Sequence, residues 1–345
     1  MAGSLVTCVE GHYQPTAPEF FSCQPAAALI VTEGGEMEVF DEQGKCSKRM
    51  TNLPPFVAPG QMLNLLDKHL VLLAYSAREQ VWRTSSMEDP LGGILANSWT
   101  ERITSIDSEA RGYDISYTYL DDIYLSGGQA QKQARLEAGT WGHLYERKFS
   151  LNDSSFTSAA CKITLQNNNI MFFGGISLDS SEVVDIVLTI NVEQYTAQLK
   201  KTLKYARSHH ACELLNGLEV LISGGFNKLG SIVPDEIYNI LTQESKEIPK
   251  SLMRARHSVI QLGSTIFALG GVDVSGSQMS AVEKFHSTNN TWSHHPEELL
   301  SSATAGLAVT GFPVSALDCT HCKCGRVTRP ERIFGGNPVK VYDQV

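Results

Sequence analysis

Apolar residues come in short bursts along this chain, and five of the bursts end on a pair of glycines. They are Leu29-Ile30-Val31-Thr32-Glu33-Gly34-Gly35, Ile123-Tyr124-Leu125-Ser126-Gly127-Gly128, Ile170-Met171-Phe172-Phe173-Gly174-Gly175, Val220-Leu221-Ile222-Ser223-Gly224-Gly225 and Ile266-Phe267-Ala268-Leu269-Gly270-Gly271. Each run has the length of a buried strand, and the glycines let the backbone leave it through conformations that a Cβ would forbid. Counted at the second glycine, the spacings are 93, 47, 50 and 46 residues. The first is close to two periods, and Leu70-Val71-Leu72-Leu73-Ala74-Tyr75 supplies the missing run without its doublet. A period near 50 with four strand-like runs per unit is the signature of a β-propeller.

Six such units span residues 27–312 and contain the tyrosine-rich stretch at 113–145 and a β-branched strand expected from Glu182 to Ile190. Three prolines, Pro15, Pro18 and Pro25, interrupt the region before Leu29, so the first unit has no opening strand of its own. Ala303 to Gly311 has the texture of that strand and is expected to pair with Leu29–Val31 from the other end of the chain. The expectation is an all-β, six-bladed propeller closed by a C-terminal strand, with irregular extensions at 1–26 and 313–345.

Units five and six carry a family resemblance. Ala206-Arg207-Ser208-His209-His210-Ala211 and Ala255-Arg256-His257-Ser258-Val259 each lead into a Gly-Gly run, followed by Tyr238 or Phe285, with Trp292 seven residues past Phe285. This pattern resembles the kelch repeat. The resemblance implies a kelch-type propeller that binds a protein ligand on one rim.

Composition narrows the classes. The hydrophobic share of 42% and charged share of 19% are those of a folded protein. A net charge of -9 argues against a nucleic-acid partner. No apolar run approaches membrane-spanning length. Met1-Ala2-Gly3-Ser4 lacks the regions of a signal peptide, so the expectation is either a cytosolic protein or a natural product that begins elsewhere.

Both ends depart from the repeat. Cys8-Val9-Glu10-Gly11-His12-Tyr13 followed by Cys23 resembles part of a sushi (complement control protein) module, the alternative being an irregular leader. Cys319, Cys322 and Cys324-Gly325, then Arg332-Ile333-Phe334-Gly335-Gly336, resemble the zymogen junction of trypsin-like serine proteases. That resemblance implies cleavage between Arg332 and Ile333. The alternatives are a chance match in an irregular tail, or a metal clip made by Cys319, His321, Cys322 and Cys324. No His, Asp and Ser triad can be assembled before Val345, so this chain is not expected to be an enzyme.

Cysteine usage bears on the compartment. Cys8, Cys23, Cys46, Cys319, Cys322 and Cys324 look like disulfide partners of an oxidising environment, whereas Cys161 and Cys212 read as small buried hydrophobes. Sequons at Asn152-Asp153-Ser154 and Asn289-Asn290-Thr291 are candidate glycosylation sites in predicted turns. No cofactor or metal is expected. His209-His210 and His294-His295 could ligate a metal, but adjacent strand residues face opposite sides of a sheet. The functional expectation is the recognition region of a larger extracellular protein linked to a trypsin-like protease. The alternative is an intracellular, cytoplasmic kelch scaffold, such as a ubiquitin-ligase substrate adaptor or an actin binder. A galactose-oxidase-like propeller enzyme stands third.

Overall fold

The computed structural model describes strand segments between 27 and 148, residues 157–305 with short breaks at 166–168, 178, 192, 195 and 250–251, and residues 308–312. Every described strand pairs antiparallel to its neighbours. Strands β1 (Ala27–Val31), β2 (Met37–Asp41) and β3 (Lys48–Met50) belong to one sheet. A second holds β4 (Met62–Leu66), β5 (His69–Tyr75), β6 (Gln80–Ser86) and β7 (Thr100–Thr104). A third holds β8 (Ile115–Tyr119), β9 (Asp122–Ser126), β10 (Lys132–Glu137) and β11 (Leu144–Lys148). Next come β12 (Thr157–Ser158), β13 (Cys161–Thr164), β14 (Asn169–Phe173), β15 (Ile176–Ser177), β16 (Val187–Asn191) and β17 (Thr196–Lys200). Of these, β13-β14-β16-β17 make the fourth sheet, and β12 pairs with β15. The fifth is β18 (Ala211–Asn216), β19 (Glu219–Ser223), β20 (Asp235–Asn239) and β21 (Glu244–Ile248). The sixth is β22 (Ser258–Leu262), β23 (Thr265–Leu269), β24 (Met279–His286) and β25 (Thr291–Thr304). Last, β26 (Ala308–Phe312) joins the first sheet beside β1, with Leu29 opposite Thr310 and Val31 opposite Ala308.

The expected closed six-bladed kelch-type β-propeller is corrected here. None of the described sheets closes on itself: six are open four-stranded ladders, β12 and β15 make a two-stranded one, and β26 ends a sheet rather than linking one sheet to the next. The architecture is a repeat-like array of open sheets. The physical reason is that a strand has two lateral edges, and β26 uses one of them on β1. Neighbouring sheets then meet by side-chain packing, not through a continuous ladder. The opening strands contact one another in order, β26 with β4, β4 with β8, β8 with β13, β13 with β18, β18 with β22 and β22 with β26.

Packing between sheets explains why the Gly-Gly runs read as continuous apolar stretches. In β14, β19 and β23 every residue after the first is buried, because both faces of each strand lie against a neighbouring sheet. Phe173, Val220, Ile222 and Tyr238 share one core, with the Phe173 and Tyr238 rings edge-on at 5.6 Å. Leu221, Ile266, Ala268, Phe285 and Trp292 form the next. A third joins the two ends of the chain: Ala28, Ile30 and Phe40 pack with Ile260, Phe267 and Leu300, and Phe40 meets Phe267 edge-on at 5.1 Å. Burial of each such large side chain stabilises the fold by about 1.5–3 kcal/mol. The outermost strands differ. In β21 Glu244, Lys246 and Glu247 stand on or near solvent, the charged pattern that keeps a free sheet edge from recruiting another chain.

Two local expectations also change. The β-branched stretch from Glu182 forms a strand only at Val187–Asn191, since the preceding residues are drawn into bridges to the glycine segment such as Val184 N to Gly175 O, 2.9 Å. Cys161 and Cys212 are not separate hydrophobes but a disulfide joining the opening strands of the fourth and fifth sheets, with a Cα–Cα distance of 5.8 Å. It spans 51 residues, so in the chain-entropy account it stabilises by about 4 kcal/mol. The double variant Cys161→Ala/Cys212→Ala is expected to unfold at lower denaturant with a deficit approaching that value. A midpoint equal to that of the parent would contradict the cross-link's structural role.

Candidate functional site

Three sheets share one end where the second strand stops and the next sheet begins. After Ser223 the chain turns through Gly224 and Gly225, with φ of 59° and 91°. A Cβ on Gly224 would lie 2.0 Å from the carbonyl oxygen of Arg254 in the next sheet. A Cβ on Gly225 would lie 2.7 Å from Ser208 O in its own. The doublet thus meets two different neighbours. The amide of the second glycine bonds, in all three described cases, to the residue four positions before the next opening strand: Gly175 N to Arg207 O at 2.7 Å, Gly225 N to Arg254 O at 3.1 Å, and Gly271 N to Thr304 O, the end of β25, at 2.7 Å.

Arg207 and Arg254 are equivalent residues, fully buried with their acidic partners. Arg207 donates from Nη1 to Gly224 O at 2.8 Å, and from Nη2 to Pro234 O at 2.8 Å and Glu236 Oε1 at 2.5 Å. Arg254 repeats this, donating from Nη1 to Gly270 O at 2.9 Å and Ala281 O at 3.0 Å, and from Nη2 to Glu283 Oε2 at 2.6 Å. Thr157 of β12 takes the arginine's place ahead of the fourth sheet and donates from Oγ1 to Gly174 O at 2.8 Å. The carboxylates reach further: Glu236 accepts from Lys204 N and the Ser245 hydroxyl, and Glu283 from Leu252 N. Burial pulls both guanidinium groups below their ordinary pKa, and the facing glutamates oppose it. The starting value is so high that both stay cationic at neutral pH. Each arginine is therefore a clamp tying a glycine turn to the third strand of its own sheet.

Between sheets, His257 and Ser223 meet through Nε2 and Oγ at 2.9 Å. Asp235 accepts from Gly224 N at 2.7 Å and from Trp292 Nε1 of the sixth sheet at 2.8 Å. Glu213 accepts from its neighbour Leu214 N and from Gln261 N across the boundary, each at 3.1 Å. Burial pushes the Glu213 carboxyl up to about 7, against both amide donors. His210 goes the other way, held well below the ordinary value by burial and then by Arg207.

Outside these clamps lies the surface. Ala159, His209 and Arg256 occupy matching positions in three successive sheets, with φ of 51°, 54° and 53°. They are linked by backbone bonds, His209 N to Ala159 O at 2.9 Å and Arg256 N to His209 O at 2.8 Å. Beside them stand two loops of one design. Asn227 Oδ1 accepts from Leu229 N and Ser231 N, and Asp273 Oδ1 from Ser275 N and Ser277 N. These side-chain turns fix loops whose tips show solvent Leu229, 80% exposed, and Val274, 77% exposed. The Ser275 hydroxyl, then the two amides, holds the Asp273 carboxyl below its usual range.

The sequence pairing of Ala206-Arg207 with Ala255-Arg256 is displaced: Arg207 stands where Arg254 does, and Arg256 matches His209. Gly174, Gly175, Gly224, Gly225, Gly270 and Gly271 all lie at this end with positive φ. Asn289 lies in the exposed turn between β24 and β25. Gly34, Gly35, Gly127, Gly128, Cys8, Cys23, Cys46, Cys319, Cys322, Cys324, Asn152, Arg332 and Ile333 fall outside the described residues. His209 and His210 do not converge, since His209 sits against Phe226 while His210 is buried by Gly174. Among the described residues no group of three or more His, Cys, Asp or Glu side chains is placed to hold a metal ion. The clamping glutamates, Glu236 and Glu283, escaped the sequence reading. Their signal was a shared spacing of 47 residues with the arginine pair and the His210/His257 pair.

That repeated constellation has a counterpart among known proteins. Residues 253–296 match the family model described as Kelch motif. The chain thus carries a kelch-repeat segment within a larger all-β array, and the segment contains Arg254, His257, Gly270, Gly271, Glu283 and Trp292. A search of the curated proteins found no match. The same clamp recurs at Arg207 and Glu236, outside the matched segment.

Removing one member of a buried pair leaves an uncompensated charge, so Arg254→Ala is expected to cost about 3–5 kcal/mol. Arg254→Met with Glu283→Leu should cost less than the sum of its single variants in a denaturation cycle. Strict additivity would contradict direct pairing. A folded Glu213 pKa near 7 against an ordinary 4.5 means the folded chain holds an extra proton between those values. Its contribution to stability is therefore lost as pH rises through that window. His210 acts oppositely, its contribution being lost as pH falls below the ordinary 6.5. The difference in thermal midpoint between Glu213→Gln and the parent isolates the first effect and should shift in the variant's favour from pH 5 to pH 8.

Proposed function

We propose that this chain is the recognition region of a larger extracellular protein, binding a protein ligand and joined through its tail to a trypsin-like serine protease. The observation that carries the binding reading is the Ala159-His209-Arg256 line with the exposed tips Leu229 and Val274 beside it. Apolar side chains held out on loops fixed by their own side-chain turns lose little conformational freedom when a partner covers them. Buried clamps behind the loops keep that surface in one arrangement. The kelch segment supports a binding role, and the Cys161–Cys212 disulfide supports an oxidising compartment outside the cell.

The link to a protease rests on the sequence of the tail. Cys319, Cys322 and Cys324 followed by Arg332-Ile333 give the order of an anchoring cysteine cluster and a cleavage point. In this reading Cys8 and Cys23 are the remnant of a sushi-like module that precedes the sheets. Binding at the sheet array would bring the attached protease to the ligand's location.

A photo-crosslinking residue at position 229 or 274 of the full chain, incubated with intact cultured cells, is expected to give protein adducts several-fold above those from position 241. Leu241 is 69% exposed but sits in a turn at the opposite end of the fifth sheet. Equal adduct yields from all three positions would contradict the assignment of the binding face. Brief trypsin treatment should create a new N-terminus at Ile333, and an intact Arg332–Ile333 bond would remove the protease junction.

A further inference from the structure

The turn between β24 and β25 brings together a sequon, solvent and the edge of the core. Asn289 is exposed, and Asn290 at φ 55° reverses the chain. Asn289 N donates to His286 O at 3.3 Å, and Thr291 donates from its hydroxyl to Asn289 Oδ1 at 2.7 Å. One residue further, Trp292 is buried against Phe285, with ring centroids 5.0 Å apart, and its indole reaches Asp235. The tripeptide Asn289-Asn290-Thr291 therefore ends where the core begins.

We infer that Asn289 carries an N-linked oligosaccharide, and that this modification dedicates the two ends of the sixth sheet to different tasks. The inference rests on the extracellular reading above. Four observations converge: the acceptor tripeptide, its exposure at a turn tip, the hydroxyl-to-amide hydrogen bond, and the disulfide that marks an oxidising compartment. The Thr291 hydrogen bond draws electron density toward Oδ1 and makes the amide N–H more acidic. In the transfer, a bond forms between Asn289 Nδ2 and C1 of the reducing-end sugar of a lipid-linked oligosaccharide. The bond from that carbon to the lipid diphosphate breaks, the diphosphate leaves with the electron pair, and the amide gives up one proton.

Strand direction fixes where the sugar goes. β23 runs toward Gly270-Gly271, β24 runs back from that end, and the Asn289 turn follows it. The oligosaccharide thus projects from the end opposite Arg256, Leu229 and Val274. It shields the outer turn while leaving the proposed binding loops bare. Nothing in the fold must move to accommodate it, because Ser287, Thr288 and Asn289 are all exposed.

The test directs the full chain into the secretory pathway of a mammalian cell line and maps its peptides before and after peptide-N-glycosidase. Conversion of Asn289 to Asp by the enzyme is expected in the parent and in Thr291→Ser. Loss of that conversion to background is expected in Thr291→Ala and Asn289→Gln. Export with the Cys161–Cys212 bond formed but Asn289 unmodified would overturn this inference and leave the extracellular reading standing. Retention in the cell with free thiols at both cysteines would overturn both.

Discussion

A glycine amide that donates to a carbonyl on the approach to the next sheet is the contact on which the array depends. It recurs at Gly175, Gly225 and Gly271, and each time the acceptor lies four residues before the strand that opens the following sheet. Side-chain packing between sheets is non-directional and would tolerate sliding. A hydrogen bond between two backbones is not tolerant, and at Gly224 an added Cβ would lie 2.0 Å from the Arg254 carbonyl oxygen and hold the chains apart. Thr304 accepts the third of these bonds, so the approach to β26 is held by the same device as the other two boundaries.

The buried arginines follow from that constraint. A chain leaving a strand through two residues of positive φ strands its carbonyls away from the ladder, and buried carbonyls must find donors. A guanidinium offers several donors in a rigid fork, enough to serve the glycine carbonyl, the start of the third strand and a carboxylate at once. Charge burial costs free energy that a net pairing barely offsets, so the clamps give geometry more than stability. Their product is a set of loops, at Asn227 and Asp273, that leave the sheets in one orientation.

The strand content was legible because two-sided burial writes itself as unbroken apolar runs, as in Ile170–Phe173 and Ile266–Leu269. The partner of β1 was legible because Pro15, Pro18 and Pro25 deny that strand a local neighbour. Closure was not, since periodicity counts sheets without saying whether hydrogen bonding passes between them. The disulfide was hidden because Cys161 and Cys212 sit on different sheets, and nothing along either strand separates a bonded half-cystine from a buried thiol. Glu236 and Glu283 are charged residues within strands, and their burial appears only once the arginines are placed opposite them. The irregularity of Arg256 against His209 concealed the true alignment of the two opening segments.

If the account is right, the doublet matters for where it lies and not merely for its backbone angles. Gly230 also has a positive φ, 76°, but sits in an open loop where an added Cβ would meet nothing within 4 Å. Denaturation of Gly224→Ala and Gly230→Ala separates the two ideas. Conformational strain alone costs about 1–2 kcal/mol at either position. The account predicts that Gly230→Ala loses no more than this while Gly224→Ala loses at least twice as much. Equal losses would show that the sheets do not depend on that close approach.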